Sequence, residues 1–278
     1  MRADLHIHTT HSDGRLSPEE ILRKAEKAGL DFISFTDHDT ITAYAQISAV
    51  KKNYNVKIIN GVEISANIGE KEVHLLAYCF DLENKELDYF FNQIKIDRRT
   101  RAYEIVRKLR SFDLEITIED VEQVSGNSPI CRPHIATALV NKGLVKNFYE
   151  AFNKYIHDKG PANERKIRVS VKSVIKLIHN AGGLVFIAHP YILDAETLNK
   201  VISLNPDGIE VIHPLHKKQD VNRFTNIARK FNLLQSGGSD FHGRTETEDK
   251  RFGKYYIGEI KLREITNAAG KNKFVCNF

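Results

Sequence analysis

Short apolar runs and amphipathic segments alternate along the first 52 residues of the chain. Residues 3–8 alternate polar and apolar side chains, which is typical of a strand. A Ser-Pro-Glu-Glu segment then predicts a helix start, with Ser17 as the N-cap and Glu20 closing a capping box. The apolar run at residues 32–36 predicts a buried strand, and residues 42–52 predict a second helix. The pattern therefore indicates two successive strand–helix units.

The pattern changes in the middle of the chain. Strands are predicted at residues 56–59 and 73–78, and the first of them leads into the segment Gly-Val-Glu-Ile-Ser at residues 61–65. From residue 84 to residue 162 the sequence then predicts only helices. These helices are predicted at residues 84–111, after Thr117, and at residues 133–141 and 148–155.

The alternation of strands and helices resumes after residue 162. Helices are predicted at residues 170–180, 194–204 and 219–231, and strands at residues 184–188, 208–212 and 233–236. Alternating units of this kind predict a parallel α/β architecture. We therefore expect residues 1–83 and 163–278 to form one α/β domain, with residues 84–162 inserted as a helical domain.

Composition limits the class of protein. The chain has 278 residues, of which 41% are hydrophobic and 28% charged, so we expect a globular protein without a membrane span or a secretory signal. Cys79, Cys131 and Cys276 are widely spaced and odd in number, which predicts reduced structural thiols in the cytoplasm. The net charge of +5, increased by any bound cations, favours anionic ligands such as phosphates.

Polar side chains follow the carboxyl ends of the predicted strands. These clusters are His6 with His8, Asp37-His38-Asp39, Glu63, His189-Pro190, His213-Pro214 and Asp240-Phe241-His242. A single histidine of this kind is more often structural or solvated. In a closed α/β barrel, however, these ends meet on one face, and side chains two residues apart on a strand point the same way. Together the clusters predict a polynuclear site for divalent metal ions.

The sequence resembles the polymerase and histidinol phosphatase (PHP) superfamily of metallo-phosphoesterases. The matching segments are DLHIHTTHSDG, TDHDT, GVEIS, EVHLLAY, AHP and SDFH, and they occur in family order in both halves of the chain. The resemblance implies a distorted (β/α)7 barrel with an inserted helical cap domain and a trinuclear metal centre at the carboxyl ends of its strands.

The resemblance also implies which residues hold the ions. The first ion would be held by His6, His8, Glu63 and Asp240, the second by a bridging Glu63 with His74 and His189, and the third by Asp13, His38 and His242. The mixture of imidazole and carboxylate favours Mn²⁺, with Fe²⁺ or Zn²⁺ as alternatives. Some family members have histidine where Asp13 stands, so we expect a harder and weaker third site here.

Within the superfamily, the segment Cys131-Arg132-Pro133-His134 resembles a branch that dephosphorylates nucleoside 3',5'-bisphosphates and trims short RNA from the 5' end. In that branch a helical cap supplies an arginine and a histidine to the phosphate, which implies this role for Arg132 and His134. His216 resembles a family position near the substrate. The run Arg98, Arg99 and Arg101 is expected to form a solvated helix face, with a nucleotide path as the alternative.

The expected activity is hydrolysis of a phosphomonoester by a metal-activated hydroxide, with Glu63, Arg132 and His134 as candidate catalytic residues. The expected substrates are nucleoside 3',5'-bisphosphates such as pAp, and short 5'-phosphorylated oligoribonucleotides. One alternative is a phosphatase of another small phosphomonoester such as histidinol phosphate. The other is a PHP module that binds metal or nucleic acid without catalysis. We expect the protein to bind no membrane and to need no obligate protein partner.

Overall fold

The computed structural model describes residues 1–48 and 51–270. The chain forms two compact units, one made of Met1–Asp88 together with the chain from Arg168 onward, and the other of Tyr89–Ile167. Cys79 and Cys131 are buried and are not joined by a disulfide, and Cys276 lies outside the described residues. Within the described ranges, no helix combines the length and the apolar character needed to span a bilayer.

The first unit contains a four-stranded sheet. Its strands are β1 (Arg2–Ile7), β2 (Phe32–Phe35), β3 (Lys57–Ile58) and β9 (Ile257–Gly258), in the order β3-β2-β1-β9. β1 pairs with β2 in parallel, β2 pairs with β3 in parallel, and β9 is antiparallel to β1. All four side chains of β2 are buried, as the apolar run at residues 32–36 predicted.

A five-stranded sheet completes the strands of this unit. It contains β4 (Gly61–Ile68), β5 (Lys71–Tyr78), β6 (Leu184–Ile187), β7 (Gly208–Ile212) and β8 (Leu234–Gly237), in chain order. The β6–β7 and β7–β8 pairs are parallel, whereas β5 is antiparallel to both β4 and β6. The sequence did not predict this mixed arrangement. Gly69, with φ +60°, lies in the two-residue connection between β4 and β5 and permits a tight hairpin there.

The two sheets approach each other at isolated bridges. Ile7 pairs with Phe241, and His38 pairs with Glu63, each in parallel and each outside the regular ladders. The backbone changes direction after β2 and after β8. Asp39, which follows β2, has a φ of +54°, and Asp240, which follows β8, has a φ of +48°. The described residues therefore form a mixed α/β fold with two sheets and no closed sheet.

Helices cover the strands of the first unit. They are α1 (Pro18–Lys27), α2 (Ala43–Ile47), α7 (Val171–Asn180), α8 (Ala195–Ile202), α9 (Lys218–Phe231), α10 (Glu246–Arg251) and α11 (Glu259–Ala268). The predicted capping box of α1 is confirmed, since Ser17 Oγ accepts the Glu20 N–H and Glu20 Oε2 accepts the Ser17 N–H. α2 is shorter than the predicted helix at residues 42–52, of which residues 49 and 50 lie outside the described part of the chain.

The regular secondary structure described in the second unit is entirely helical. It contains most of α3 (Lys85–Arg110), then α4 (Ile118–Ser125), α5 (Arg132–Asn141) and α6 (Phe148–Ala151), which continues into a π-helical turn at Phe152–Ile156. Thr117 caps α4 as predicted. The second unit has a hydrophobic core of its own, which includes the fully buried residues Leu109, Ile116, Leu139 and Ile156.

Candidate metal centre

Successive strands of the first unit place imidazoles and carboxylates close together. His6 lies in β1 and His8 just beyond it, Glu63 lies in β4, and His74 lies in β5. The remaining predicted ligands lie in the turns that follow β1, β2, β6 and β8, and they are Asp13, His38, His189, Asp240 and His242. The register of the β4–β5 hairpin opposes Glu63 to Leu76, so His74, two residues from Leu76, lies diagonally across on the same face.

Glu63 is the centre of this arrangement. Its side chain is 1% exposed, and each carboxylate oxygen faces several imidazole nitrogens. Oε1 lies 2.9 Å from His74 Nδ1 and 2.9 Å from His189 Nε2. Oε2 lies 3.1 Å from His8 Nε2, 3.2 Å from His38 Nδ1 and 3.3 Å from His6 Nε2. The two oxygens therefore face different sets of donors, as a bridging carboxylate requires.

Asp240 adds a second carboxylate to the donors around Glu63. Its Oδ1 lies 3.2 Å from both His6 Nε2 and His8 Nε2. One donor atom from each of His6, His8, Glu63 and Asp240 lies within 4.8 Å of the others. This group coincides with the ligand set predicted for the first ion.

Asp13 forms another group with donors on the far side of His8. Asp13 Oδ1 lies 3.4 Å from His242 Nε2 and 3.9 Å from His8 Nδ1. Donor atoms of His8, Asp13, His38 and His242 all lie within 4.8 Å of one another. The three residues predicted for the third ion are thus together, with His8 as an additional neighbour. The Arg244 guanidinium, which the sequence did not single out, donates to the Asp13 carboxylate.

The donor chemistry fits divalent cations. Both ring nitrogens of His8 are buried without a hydrogen bond, and so is Nδ1 of His38, although these atoms face carboxylates. Buried polar atoms are rarely left in this state in proteins. Ions placed between the imidazoles and the carboxylates would satisfy them, and a shell of imidazole and carboxylate without thiolate suits Mn²⁺, Fe²⁺ or Zn²⁺.

Burial and charge shift the pKa values of these histidines in opposite directions. Burial lowers the pKa of His8, but the carboxylates of Asp240 and Glu63 outweigh it and raise the pKa to about 10. For His38, burial is the largest cause and lowers the pKa; Glu63 and Asp13 oppose it, His8 and His74 add to it, and the resulting pKa is about 3. Adjacent rings therefore do not all become positively charged, although ionised carboxylates surround them.

The structure places the other predicted site residues as follows. His216 is buried beside β7, and its Nδ1 lies 2.8 Å from the Val211 carbonyl. In the second unit, Arg132 and His134 both lie in the first turn of α5. Arg132 Nη1 donates to the Ile156 carbonyl at 3.1 Å and to Asp158 Oδ1 at 2.6 Å. His134 is buried, and its Nδ1 accepts the Cys131 N–H at 3.1 Å.

The expectation of a solvated arginine face on α3 is wrong for two of the three residues. Arg98 and Arg101 are buried, and only Arg99 is exposed. Arg101 donates to the Glu164 carbonyl at 2.7 Å, and Arg98 Nη1 lies 3.1 Å from Cys131 Sγ. These arginines face the interior of the helical unit because they bind main-chain and side-chain acceptors there.

Sequence reasoning also missed Glu210. It lies in β7 with its side chain completely buried, 2.9 Å from His6 Nδ1. An acidic residue inside the otherwise apolar run Gly-Ile-Glu-Val-Ile was a usable signal, because a buried carboxylate needs partners. His213 was noted as a strand-end residue but given no role, and its Nε2 lies 3.2 Å from Asp240 Oδ2.

A cluster of buried imidazoles and carboxylates within an α/β unit is typical of one class of enzyme, the metal-dependent hydrolases. The PHP domain model matches residues 4–192, and the chain belongs to the PHP domain family. Known relatives and solved structures narrow the class further.

The chain is 31% identical to a 5'-3' exoribonuclease of Haemophilus influenzae, across 86% of this chain and 89% of the relative. It is 29% identical to a 3',5'-nucleoside bisphosphate phosphatase of Chromobacterium violaceum, across 87% and 88%. A solved structure from Bifidobacterium adolescentis, described as a metal-dependent phosphoesterase, superposes with a TM-score of 0.85 at 30% identity, covering 96% of each chain. The protein is accordingly a metal-dependent hydrolase of phosphoesters, and the alternative of a non-catalytic module is set aside.

Replacement of His8 with Ala should lower the metal content of the protein. His8 contributes donor atoms to two of the groups described above, so we expect at least one Mn²⁺ fewer per chain. The matched control is His11→Ala, because His11 contacts Thr42 and Gln46 and lies outside these groups. Metal analysis after reconstitution with Mn²⁺ and desalting measures both variants. Equal metal content in the two variants would refute the assignment of His8.

Proposed function

We propose that the protein removes the 3'-phosphate from nucleoside 3',5'-bisphosphates such as pAp, and that it can also hydrolyse short 5'-phosphorylated oligoribonucleotides. The observation that carries this proposal is the buried donor cluster around Glu63. One of its members, His189, contacts Glu63 and is two residues away in sequence from the exposed Tyr191. The names of two relatives that match most of the chain support the same substrate class. The buried thiols of Cys79 and Cys131, which are not joined by a disulfide, suit a reducing cytoplasm, which we infer as the compartment.

We propose that three divalent ions, with Mn²⁺ favoured over Fe²⁺ and Zn²⁺, bind this cluster. Their ligands would be His6, His8, Asp13, His38, Glu63, His74, His189, Asp240 and His242. Divalent ions in such a site lower the pKa of water and neutralise charge on a transferring phosphoryl group. Glu63 would serve as the bridging carboxylate because its two oxygens face different imidazoles.

We also propose that the two sheets belong to one distorted (β/α)7 barrel, into which residues 84–162 are inserted as a cap. The isolated bridges Ile7–Phe241 and His38–Glu63 support this proposal. The first connects the end of β1 with the segment after β8, and the second connects the segment after β2 with β4, so both link the four-stranded sheet to an edge of the five-stranded sheet. The helical unit Tyr89–Ile167 has a core of its own, which is consistent with an inserted domain.

The cap residues have hydrogen-bonding states that suit phosphate. The Cys131 N–H can only donate, so Nδ1 of His134 accepts it, and the proton of the neutral ring lies on Nε2. That nitrogen can donate to a phosphate oxygen or protonate a leaving ribose oxygen. The Arg132 guanidinium is paired with Asp158, whose side chain is 86% exposed, and a phosphate could replace this exposed carboxylate.

A base-binding surface lies next to His189. Tyr191 is 47% exposed in the 3₁₀ turn that follows this residue, and its ring centroid lies 6.4 Å from that of His216. The Val211 carbonyl can only accept, so it fixes the proton of neutral His216 on Nδ1. Nε2 of His216 is buried without a hydrogen bond and would accept one from a nucleoside hydroxyl or amino group. A nucleobase could then stack on Tyr191.

A panel of substrates tests the reaction. After reconstitution with Mn²⁺, we expect phosphate release from pAp to be much faster than from AMP, because AMP lacks the 3'-phosphate that the proposed reaction removes. Short 5'-phosphorylated RNA should be hydrolysed as well. Activity confined to histidinol phosphate would refute the substrate assignment and support the alternative phosphatase.

Truncation of Tyr191 tests the base-binding surface. We expect Tyr191→Ala to lower kcat/KM for pAp by about 5- to 150-fold, since stacking of a base on an aromatic ring contributes about 1–3 kcal/mol. The same variant should leave hydrolysis of ribose 3,5-bisphosphate unchanged, because that compound lacks the base. Tyr256→Ala is the matched control. Tyr256 directly precedes β9, and β9 pairs with Arg2 and Ala3 at the start of β1, whereas His8 lies beyond the other end of that strand. Equal losses with both compounds would contradict a stacking role.

A further inference from the structure

Glu210 is a buried carboxylate to which the proposed reaction gives no role. It lies at the centre of β7, between the apolar residues Ile209 and Val211, and its side chain has no exposed surface. Burial of a carboxylate is unfavourable unless hydrogen bonds or neighbouring positive charges compensate for the lost hydration. The contacts of both its oxygens are therefore informative.

The two oxygens of Glu210 contact two different predicted ligands. Oε1 lies 2.9 Å from Nδ1 of His6, and Oε2 accepts the backbone N–H of His189 at 2.7 Å. An ionised carboxylate can only accept hydrogen bonds, so Nδ1 of His6 carries a proton. In the neutral ring the lone pair is then on Nε2, the nitrogen that faces Glu63 Oε2 at 3.3 Å and Asp240 Oδ1 at 3.2 Å.

The contact with His189 fixes the main chain. The backbone of His189 has φ 25° and ψ 60°, a conformation that residues other than glycine adopt at a cost. The hydrogen bond from its N–H to Glu210 holds this turn, and the turn brings Nε2 of His189 to 2.9 Å from Glu63 Oε1. One carboxylate thus positions His6 on one oxygen of Glu63 and His189 on the other.

We propose that Glu210 is a positioning residue that sets the tautomer of His6 and the backbone turn at His189, and thereby the donor geometry on both sides of Glu63. This inference rests on the metal centre of the proposed function. Glu210 can also be grouped with His6 and His213 as a possible ligand set of its own. Its oxygens, however, already bind a ring nitrogen and a main-chain N–H, so the positioning role accounts for both contacts.

The variant Glu210→Gln keeps the shape of the side chain and removes one of the two acceptors. The single amide oxygen can accept from His6 or from the His189 N–H, and the amide NH₂ group must face the other. If the NH₂ faces His6, it favours the tautomer with the proton on Nε2, which cannot bind a metal ion through that atom. If it faces His189, two donors oppose each other at the strained turn.

We expect Glu210→Gln to weaken Mn²⁺ binding by about 10- to 100-fold, the usual effect of losing such a partner of a metal ligand. Electron paramagnetic resonance of free Mn²⁺, titrated into the metal-free full chain, measures this without any substrate. The matched control is Glu72→Gln, because Glu72 Oε1 also lies 3.0 Å from a ring nitrogen of a predicted ligand, His74, but is 40% exposed. Water can replace that contact, so we expect less than about a threefold change.

The outcomes separate this inference from the proposed function. If the wild-type chain binds Mn²⁺ and Glu210→Gln binds it equally tightly, the positioning role is wrong while the metal centre stands. If the wild-type chain does not bind Mn²⁺, both are wrong. Loss of one whole ion at saturating Mn²⁺, with the other affinities unchanged, would show that Glu210 is itself a ligand and would also overturn the inference.

A measurement on the wild-type chain covers the case in which the variant does not fold. In protein labelled with ¹⁵N-histidine and loaded with Zn²⁺, which is diamagnetic, the His6 Nδ1 resonance should show a directly bonded, slowly exchanging proton. Its assignment follows from its loss in His6→Asn. A His6 Nδ1 without a proton would contradict the inference.

Discussion

The candidate site depends on one buried carboxylate surrounded by imidazoles. Glu63 is almost completely buried and faces five histidine rings that come from four other segments of the chain. A carboxylate in such a position is stable only when cations or hydrogen-bond donors surround it. The first unit therefore has to bring β1, β4, β5 and the turns after β2 and β6 together at one point. The donors from β1, β2 and β6 lie at or beyond the carboxyl ends of those strands, whereas Glu63 and His74 lie within β4 and β5.

Close backbone packing makes this convergence possible. Gly238 follows β8 and lies against β1, where a Cβ atom would come within 2.4 Å of the His6 main-chain nitrogen and 2.7 Å of Asp4 Oδ1. Asp4 Oδ1 in turn accepts the Ser239 N–H at 2.9 Å and holds the segment that leads to Asp240. Because Gly238 has no side chain, the segment after β8 can pack against β1. This packing places the Asp240 carboxylate beside His6 and His8.

Local signals in the sequence predicted much of this arrangement. The capping box at Ser17 and the two-residue spacing of His6 and His8 are short-range features. The structure contains the capping box, and it brings donor atoms of both histidines into one group. The antiparallel pairing of β5 with β6 and the burial of Arg98 and Arg101 depend on partners distant in sequence, which periodicity does not reveal. Glu210 lies between these cases: its acidic character within an apolar strand was visible, but its partners were not.

The most direct test is anomalous diffraction from crystals of the Mn²⁺-reconstituted protein. We expect anomalous peaks on both sides of Glu63, with Oε1 and Oε2 bound to different ions. His74 and His189 should lie on the Oε1 side, and His6 and His8 on the Oε2 side. If no peak lies beside Glu63, or if a single ion is bound by both of its oxygens, Glu63 is not a bridging ligand.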